Sequence, residues 1–257
     1  ALTCERNADY VDPVRIWSKV LDVSPGNWRA HNSLAEAYGQ RGDRVRERYH
    51  YEQAIAAKPD HERLHVSMAA CLSRAGDLDG AEFHNRRAVE LKPDYVQALY
   101  NCAAVLERKQ EWDEAEQFYR RVLQVKPDHA EAQRNLASLL WRTGRIREAV
   151  SAYRRLLELR PNMAGVKTHL AKILATSDDA TVRDGAQALQ LAEEARRAFG
   201  DRNYRVFDAL AAAYAELGRY DDACRAASRS IELARAAGQK AGFEELEARL
   251  KLYQSRR

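Results

Sequence analysis

Residues 130–163 read AEAQRNLASLLWRTGRIREAVSAYRRLLELRPNM, and this stretch decides the fold. Its first half places Leu136 and Ala137 on an apolar face with helical spacing, and its second half does the same with Ala149 and Tyr153. A glycine separates the two halves. A proline ends the second half, because proline cannot continue the hydrogen-bond ladder of a helix. The stretch therefore predicts two helices joined by a tight turn.

The same pattern recurs every 34 residues along the chain. Five of the six prolines keep this step, namely Pro25, Pro59, Pro93, Pro127 and Pro161. The small residues that let the two helices cross closely keep it too, and they are Ala35, Ala69, Ala103, Ala137 and Ala171 on the first helix and Ala81, Ala115 and Ala149 on the second. The aromatic residues that fill the space behind them are Tyr51, Tyr119 and Tyr153. A period of this length indicates an array of stacked helix pairs.

The ends of the predicted helices carry their own signals. The glycines at the turn inside a pair are Gly42, Gly76 and Gly144. The residue after each later proline is Asp60, Asp94, Asp128 or Asn162, and we expect it to cap the next helix. Glu47 stands where the second helix of a pair has its small alanine. We expect its carboxylate either to reach out to solvent or to loosen the first repeat.

These residues at these spacings resemble the tetratricopeptide repeat. The resemblance implies an all-α fold, a right-handed superhelical α-solenoid of helix pairs whose first helices line a concave groove. We expect a single domain over residues 1–257. Its predicted repeats are 28–61, 62–95, 96–129, 130–163, 164–203 with an insertion at 176–185, and 204–237. A half repeat at 12–25 precedes them. A capping helix at 241–253 follows, since a terminal repeat would otherwise expose its core.

Composition and charge exclude several classes of protein. No apolar run approaches the roughly 18 residues of a membrane span, and residues 1–10 lack the apolar core of a signal peptide. The net charge is only +4 and the basic residues alternate with acidic ones, so we predict no nucleic-acid partner. The cysteines are far apart in sequence, which favours core residues over a zinc or redox site, and they are Cys4, Cys71, Cys102 and Cys224. The initial half repeat and the missing first Met lead us to expect that the natural chain continues upstream.

The free face of the first helices predicts the binding site. In the 130–163 repeat, Asn135, Trp141 and Arg142 lie off the buried stripe, on the face that would look into the groove. Register-equivalent positions in the two preceding repeats extend this face. The candidate partner-binding residues are Arg74, Tyr100, Asn101, Arg108, Arg134, Asn135, Trp141 and Arg142.

The chemistry of this set suits an extended peptide or a partner protein. Asparagine can donate to and accept from a peptide backbone, and arginine pairs with carboxylates, so acidic partners are included. Aromatic residues and arginine dominate the binding energy of interfaces. Asn101 and Asn135 also resemble part of the asparagine ladder in the repeats of O-linked N-acetylglucosamine transferase. We therefore predict a non-enzymatic interaction scaffold without a cofactor.

One motif points instead to a metalloprotease. HERLH at 61–65 matches H-E-x-x-H, in which two histidines on one helical face bind zinc and the glutamate acts as base. However, His61 stands at the very start of a predicted first helix, and no third ligand is indicated. We predict no metal site and no catalytic residues.

A wider resemblance concerns both ends of the chain. Residues 6–35, which begin with an Arg-Asn-x-x-Tyr segment, and the tail from residue 174 are similar to the C-terminal tetratricopeptide domain of bacterial multi-pass membrane proteins, some of them glycosyltransferase-like. The resemblance implies an extracytoplasmic, periplasmic location, with membrane contact only through a domain outside this chain. It leaves two alternatives to a simple scaffold. The domain presents acceptor proteins to an upstream glycosyltransferase, or its N-terminal end mediates weak self-association.

Overall fold

The computed structural model describes residues 12–239 and 242–256. Every regular element in these ranges is an α-helix, which confirms the all-α prediction. The helices are α1 (Pro13–Val23), α2 (Trp28–Gln40), α3 (Arg44–Ala57), α4 (Glu62–Ala75), α5 (Leu78–Leu91), α6 (Val96–Arg108), α7 (Trp112–Val125), α8 (Ala130–Arg142), α9 (Ile146–Leu159), α10 (Ala164–Thr176), α11 (Gly185–Phe199), α12 (Tyr204–Glu216), α13 (Tyr220–Ala236) and α14 (Phe243–Ser255). Cys4, the Arg-Asn-x-x-Tyr segment and Ala241 of the predicted capping helix lie outside the described residues. Across the described ranges, each helix is too short or too polar to span a membrane.

The helices group into two compact units. The N-terminal unit ends at Ala132 and the C-terminal unit begins at Gln133. In the N-terminal unit, α2 packs on α3, α4 on α5 and α6 on α7, so consecutive helices form pairs. α4 also contacts α6, the first helix of the following pair. First helices of neighbouring pairs therefore lie side by side in this unit.

The C-terminal unit repeats this arrangement and ends with an extra helix. α10 packs on α11 and α12 on α13, while α10 also contacts α12. The polar insertion lies between α10 and α11, whose N-cap is Asp184. α14 packs on α13, where Leu246 joins Ile231 and Ala234 in an apolar cluster. Tyr253 of α14 is buried as well.

The recurring small and aromatic residues occupy the core. Each alanine predicted at a helix crossing has a relative exposure of 0%, which holds for Ala35, Ala69, Ala81, Ala103, Ala115, Ala137, Ala149 and Ala171. The aromatic positions behind them are also buried, with exposures of 5% for Tyr51, 0% for Tyr119 and 4% for Tyr153. The 34-residue step thus marks side chains that share one structural role.

The turns inside the pairs use left-handed backbone. Gly42 and Gly76 have φ values of 76° and 89°, as their type and position predict. In the next pair the same register position is held by Gln110, which adopts a φ of 65°. A side chain is strained in this conformation, because its Cβ approaches the following carbonyl oxygen.

Replacing Gln110 by glycine is therefore expected to raise the free energy of unfolding by about 0.5–1 kcal/mol. The relief of strain exceeds the loss caused by a more flexible unfolded chain. Chemical denaturation measures the change. Gly76→Gln is the matched control and should destabilise the protein by about 1 kcal/mol or more. A Gln110→Gly variant less stable than the parent would contradict this account of the turn.

The prediction that the residue after each proline caps the next helix is wrong. Between α5 and α6, the backbone N–H of Tyr95 donates to the carbonyl oxygen of Lys92 at 3.0 Å. Pro93 and Asp94 are the two central residues of this turn, where proline and aspartate are both favoured. The aspartate is therefore used inside the turn, and Tyr95 takes the N-cap position of α6. The mispredicted caps are Asp60, Asp94, Asp128 and Asn162, and the helices after them begin at Glu62, Val96, Ala130 and Ala164.

Glu47 also departs from expectation, since its carboxylate does not reach solvent. The residue is 3% exposed and forms an ion pair with the guanidinium of Arg74. Gly39 on the paired helix makes the room, because a Cβ at that position would lie 2.8 Å from the carboxylate carbon of Glu47. The absence of a side chain at Gly39 and the positive charge of Arg74 together allow a glutamate at a position where the next repeats have alanine.

The first described helix behaves as predicted. Asp12 Oδ1 accepts a hydrogen bond from the backbone N–H of Val14 at 3.0 Å, and Pro13 lies in the first turn of α1. Proline is favoured there because the first N–H groups of a helix have no partner within it.

Candidate partner-binding surfaces

The structure brings three of the predicted residues of the N-terminal unit together. Arg74, Asn101 and Arg108 line one open cavity of about 320 Å³ between α4 and α6. Its floor is made of small residues, among them Ala70 and Ala104. Because the first helices lie side by side here, residues one repeat apart face the same space.

Both arginines of this cavity are held by acceptors of the protein. Arg108 Nη1 donates to the backbone carbonyl of Ser73 at 3.2 Å. Arg74 pairs with the buried Glu47, while its own side chain is 54% exposed. Asn101 Oδ1 accepts a hydrogen bond from Gln97 Nε2 at 2.8 Å. Arg74 and Arg108 thus make contacts within the protein. Their predicted role in partner binding stays a prediction.

Tyr100 does not line this cavity. Its ring is half-buried and stacks on the ring of His129, with centroids 5.3 Å apart and planes inclined by 25°. Its predicted contact with a partner is not tested by this geometry.

One cavity of the C-terminal unit surrounds Trp141. It has a volume of about 1020 Å³ and is lined by the end of α8, the start of α9, α10 with the loop after it, and α14. Trp141 is 42% exposed, and its ring meets the ring of His169 edge-on at a centroid distance of 4.7 Å. Tyr153 supports His169 from another direction at 5.3 Å. The indole is therefore held in place and still presents a large area to solvent.

The other predicted residues of this unit lie outside the Trp141 cavity. Arg134 and Arg142 are exposed, and Asn135 is half-buried. Their predicted role in binding is likewise untested.

A charged wall of the Trp141 cavity was not predicted from the sequence. Lys172 on α10 and Arg249 on α14 flank Asp208, with Nζ–Oδ2 and Nη2–Oδ1 distances of 2.9 Å and 3.2 Å. Burial lowers the pKa of Lys172, and the neighbouring Asp208 carboxylate opposes this shift. Arg249 Nε is buried without a hydrogen-bond partner among the described residues. Glu245 of α14 also lines the cavity, with its Oε1 3.4 Å from Arg249 Nη1, so two carboxylates face the two cations of this wall.

One sequence signal for this wall was available. The positions that correspond to Lys172 hold Ala70, Ala104, Ser138 and Ala212 in four repeats and Glu36 in the first. A lysine among small residues marks the fifth repeat as different. The approach of Arg249 had no such signal, because the 34-residue step does not extend to α14.

The histidines of the HERLH motif are not arranged as zinc ligands. His65 Nδ1 lies 2.9 Å from His84 Nδ1, and His65 Nε2 lies 2.9 Å from the carbonyl oxygen of Pro59. Both ring nitrogens of His65 are therefore engaged within the protein. The same geometry occurs one repeat earlier, where His31 bonds His50 at 3.0 Å. These histidines form a repeated structural pair.

An acidic cluster of the N-terminal unit has its own counter-ions. The carboxylate oxygens of Glu82, Glu111 and Glu114 lie within 4.8 Å of one another. Lys109 Nζ is 2.7 Å from Glu82 and 3.1 Å from Glu111, and Arg86 pairs with Glu114. The cations already balance these carboxylates, so the cluster gives no ground for a metal site.

Comparison with known proteins agrees with this architecture. Residues 94–162, which include α6 to α9, match the tetratricopeptide repeat family. Over these residues the chain is similar to tetratricopeptide repeats. The sequence matches no curated protein. The solved structures that are similar to this chain in fold include the following three, all at low sequence identity.

PilF of Pseudomonas aeruginosa is 19% identical with a TM-score of 0.65, and the match covers 86% of this chain and 96% of that one. YrrB, a tetratricopeptide repeat protein with an unusual peptide-binding site, is 18% identical with a TM-score of 0.63, over 71% of this chain and 91% of that one. MamA is 20% identical with a TM-score of 0.57, over 63% and 94% of the two chains. At such identities the likeness shows the fold.

Proposed function

We propose that the chain is a non-catalytic binding module that holds an extended peptide, or an extended segment of a partner protein, against the first helices of its repeats. The observation that carries the proposal is the Trp141 cavity. A tryptophan that is 42% exposed, braced by His169 and set in a cavity of about 1020 Å³, has the features of an interface hot spot.

The walls of this cavity suggest the chemistry of the bound segment. Trp141 and Ile173 offer apolar surface to an apolar side chain. Lys172 and Arg249 are balanced by Asp208 and Glu245, so this wall offers both donors and acceptors to polar groups beside that side chain. Arg74, Tyr100, Asn101 and Arg108 of the N-terminal unit, and Arg134, Asn135 and Arg142 of the C-terminal unit, are proposed as further contacts. The peptide-binding site of YrrB, a neighbour in fold, supports a peptide as ligand.

Mutation of Trp141 tests the proposal. A peptide of twelve residues would first be selected from a displayed random library and labelled for fluorescence anisotropy. Trp141→Ala is expected to weaken its binding at least tenfold, because a hot-spot truncation costs about 2 kcal/mol or more. Phe199→Ala is the matched control, since Phe199 is similarly exposed at 45% but lies outside the cavity. Equal affinities of the parent and Trp141→Ala, or equal losses in both variants, would refute the site.

The resemblance of both chain ends to bacterial membrane proteins supports a second candidate. In it, the same surfaces present acceptor proteins to a glycosyltransferase carried by a domain outside this chain, on the extracytoplasmic side of the membrane. The gene sequence upstream of Ala1 tests it, since membrane spans with catalytic acids are required. A third candidate, self-assembly, is tested by light scattering, and a monomer at high concentration would exclude it.

A further inference from the structure

The exposed ring of Trp141 carries no cation of the protein itself. Arginines stack on other aromatic rings of the chain, where the guanidinium carbon of Arg29 lies 4.5 Å from the ring centroid of Trp28. Among the described residues, the indole of Trp141 has His169 as its only ring contact and no stacked arginine or lysine. Indole attracts cations more strongly than the other aromatic rings do. The 42% of Trp141 that is exposed is therefore open to a cation from outside.

The basic residues that line the Trp141 cavity already have carboxylate partners. The ion pairs are Arg145–Glu148, Arg147–Asp179, Lys172–Asp208, Arg249–Asp208 and Arg249–Glu245. Because these charges compensate one another within the protein, they neither repel a ligand cation strongly nor offer an unpaired cation to a ligand carboxylate.

One carboxylate of the cavity is left over. Asp178, in the loop after α10, lines the cavity and is exposed. Within the described ranges of the chain, its carboxylate has no ion pair. Arg183 donates to the carbonyl oxygen of the neighbouring Ser177 at 3.1 Å, but its guanidinium pairs with Glu216. The cavity thus combines an open indole with an unpaired negative charge, and both attract a cation.

From these observations we infer that the Trp141 cavity is a subsite for one basic side chain, arginine or lysine, of the bound peptide. The inference rests on the proposed function and specifies the side chain that Trp141 receives. The methylene stem of that side chain packs on the indole and on Ile173, which gives the apolar contact. Its charged head group lies between the indole and the carboxylate of Asp178.

Charge selects against other side chains at this subsite. A ligand carboxylate would meet Asp178 and would find every basic residue of the cavity already paired. A neutral aliphatic side chain would gain the apolar contact alone. An aromatic side chain could stack on Trp141 but would leave Asp178 without a counter-charge.

The test uses four blocked pentapeptides, Ac-Ala-Ala-Xaa-Ala-Ala-amide, with Xaa as Arg, Lys, norleucine or Glu. Each is titrated into the ¹⁵N-labelled full chain, and the indole N–H signal of Trp141, assigned through Trp141→Phe, is followed by NMR. We expect a saturable shift with the Arg and Lys peptides. The norleucine peptide, which keeps the stem of lysine without its charge, and the Glu peptide should bind at least about fivefold more weakly. Equal binding of Lys and norleucine, a preference for Glu, or no saturable shift would overturn the inference.

Two variants examine the carboxylate and the ring separately. Asp178→Asn should reduce the preference for Lys over norleucine by about twofold or more. Asp113→Asn is the matched control, since Asp113 is also exposed but lies outside the cavity, and it should keep the parent's preference. Trp141→Leu keeps an apolar side chain without the ring and should weaken Arg-peptide binding at least about fivefold, followed here by the backbone amide of Ile173. Equal effects of the two aspartate variants, or parental Arg-peptide binding in Trp141→Leu, would contradict the subsite.

Failure of the subsite is distinguishable from failure of the proposed function. If the selected twelve-residue peptide loses affinity in Trp141→Ala while the Lys and norleucine pentapeptides bind equally, only the basic subsite is refuted. If the Lys pentapeptide is preferred but the selected peptide is unaffected by Trp141→Ala, only the proposed function is refuted.

Discussion

Replacing Arg74 by alanine is expected to lower the free energy of unfolding by about 2 kcal/mol. The reason is the carboxylate of Glu47, which is 3% exposed and would be left buried without its counter-charge. The figure is set below the value for a fully buried pair because Arg74 itself is 54% exposed. Urea denaturation of the two proteins measures it.

A double-mutant cycle separates this pair from a general effect of the substitution. Glu47→Ala installs the residue that the register has at Ala81 and Ala115, so it should cost little. In that background, Arg74→Ala is expected to change stability by less than about 0.5 kcal/mol. Similar losses in both backgrounds would show that the ion pair does not hold Glu47 in place. The result also bears on binding experiments, in which Arg74 cannot be removed without changing the fold's stability.

Acidification from pH 7 to pH 5 is expected to destabilise the N-terminal unit through its histidine pairs. His65 Nε2 faces a carbonyl oxygen and so carries the proton, which makes its Nδ1 the acceptor for His84. Protonation of His84 at its other ring nitrogen would place a positive charge on this half-buried ring. Burial, with a smaller contribution from His65, lowers the pKa of His84 to about 4, and burial lowers the pKa of His50 as well.

The direction of the stability change follows from the difference in proton binding between the folded and the unfolded chain. Above the ordinary histidine pKa of about 6.5, His84 is neutral in the folded and in the unfolded chain. Proton binding then does not lower the free energy of unfolding. As the pH falls from there toward 4, His84 binds a proton in the unfolded chain but not in the folded one. The free energy of unfolding therefore decreases. We expect a loss of about 1.5 kcal/mol at pH 5 for the His84 pair, discounted for its partial exposure.

The next repeat supplies the control. At the positions that correspond to His65 and His84 it has Leu99 and Phe118, which are buried without a titrating group. The double variant His65→Leu/His84→Phe should retain more of its stability between pH 7 and pH 5 than the parent. An unchanged pH dependence in urea denaturation would mean that the acid sensitivity arises elsewhere.

Sequence spacing predicted those features that depend on the repeat alone. The burial of Ala69 and Ala103 and the turn at Gly76 follow from where each residue stands in a helix pair. The helix starts were placed too early because proline and aspartate form a turn before each first helix, and Asp94 serves that turn.

Other features depend on partners that the register does not specify. Glu47 is buried because Gly39 is small and Arg74 is close. None of these three residues indicates the arrangement by itself, so the sequence pattern does not predict it. Arg249 reaches Asp208 from α14, a helix to which the 34-residue step does not extend.

The central claim is that a peptide binds to the face of the first helices, and the four tryptophan indole signals test it most directly. Trp141 lies at the end of α8, a first helix, whereas Trp112 begins α7, a second helix. On titration of the selected twelve-residue peptide into ¹⁵N-labelled protein, with Trp141 assigned through Trp141→Phe, the account predicts a saturable shift of the Trp141 indole and none of Trp112. A shift of Trp112 with an unmoved Trp141 signal would contradict it.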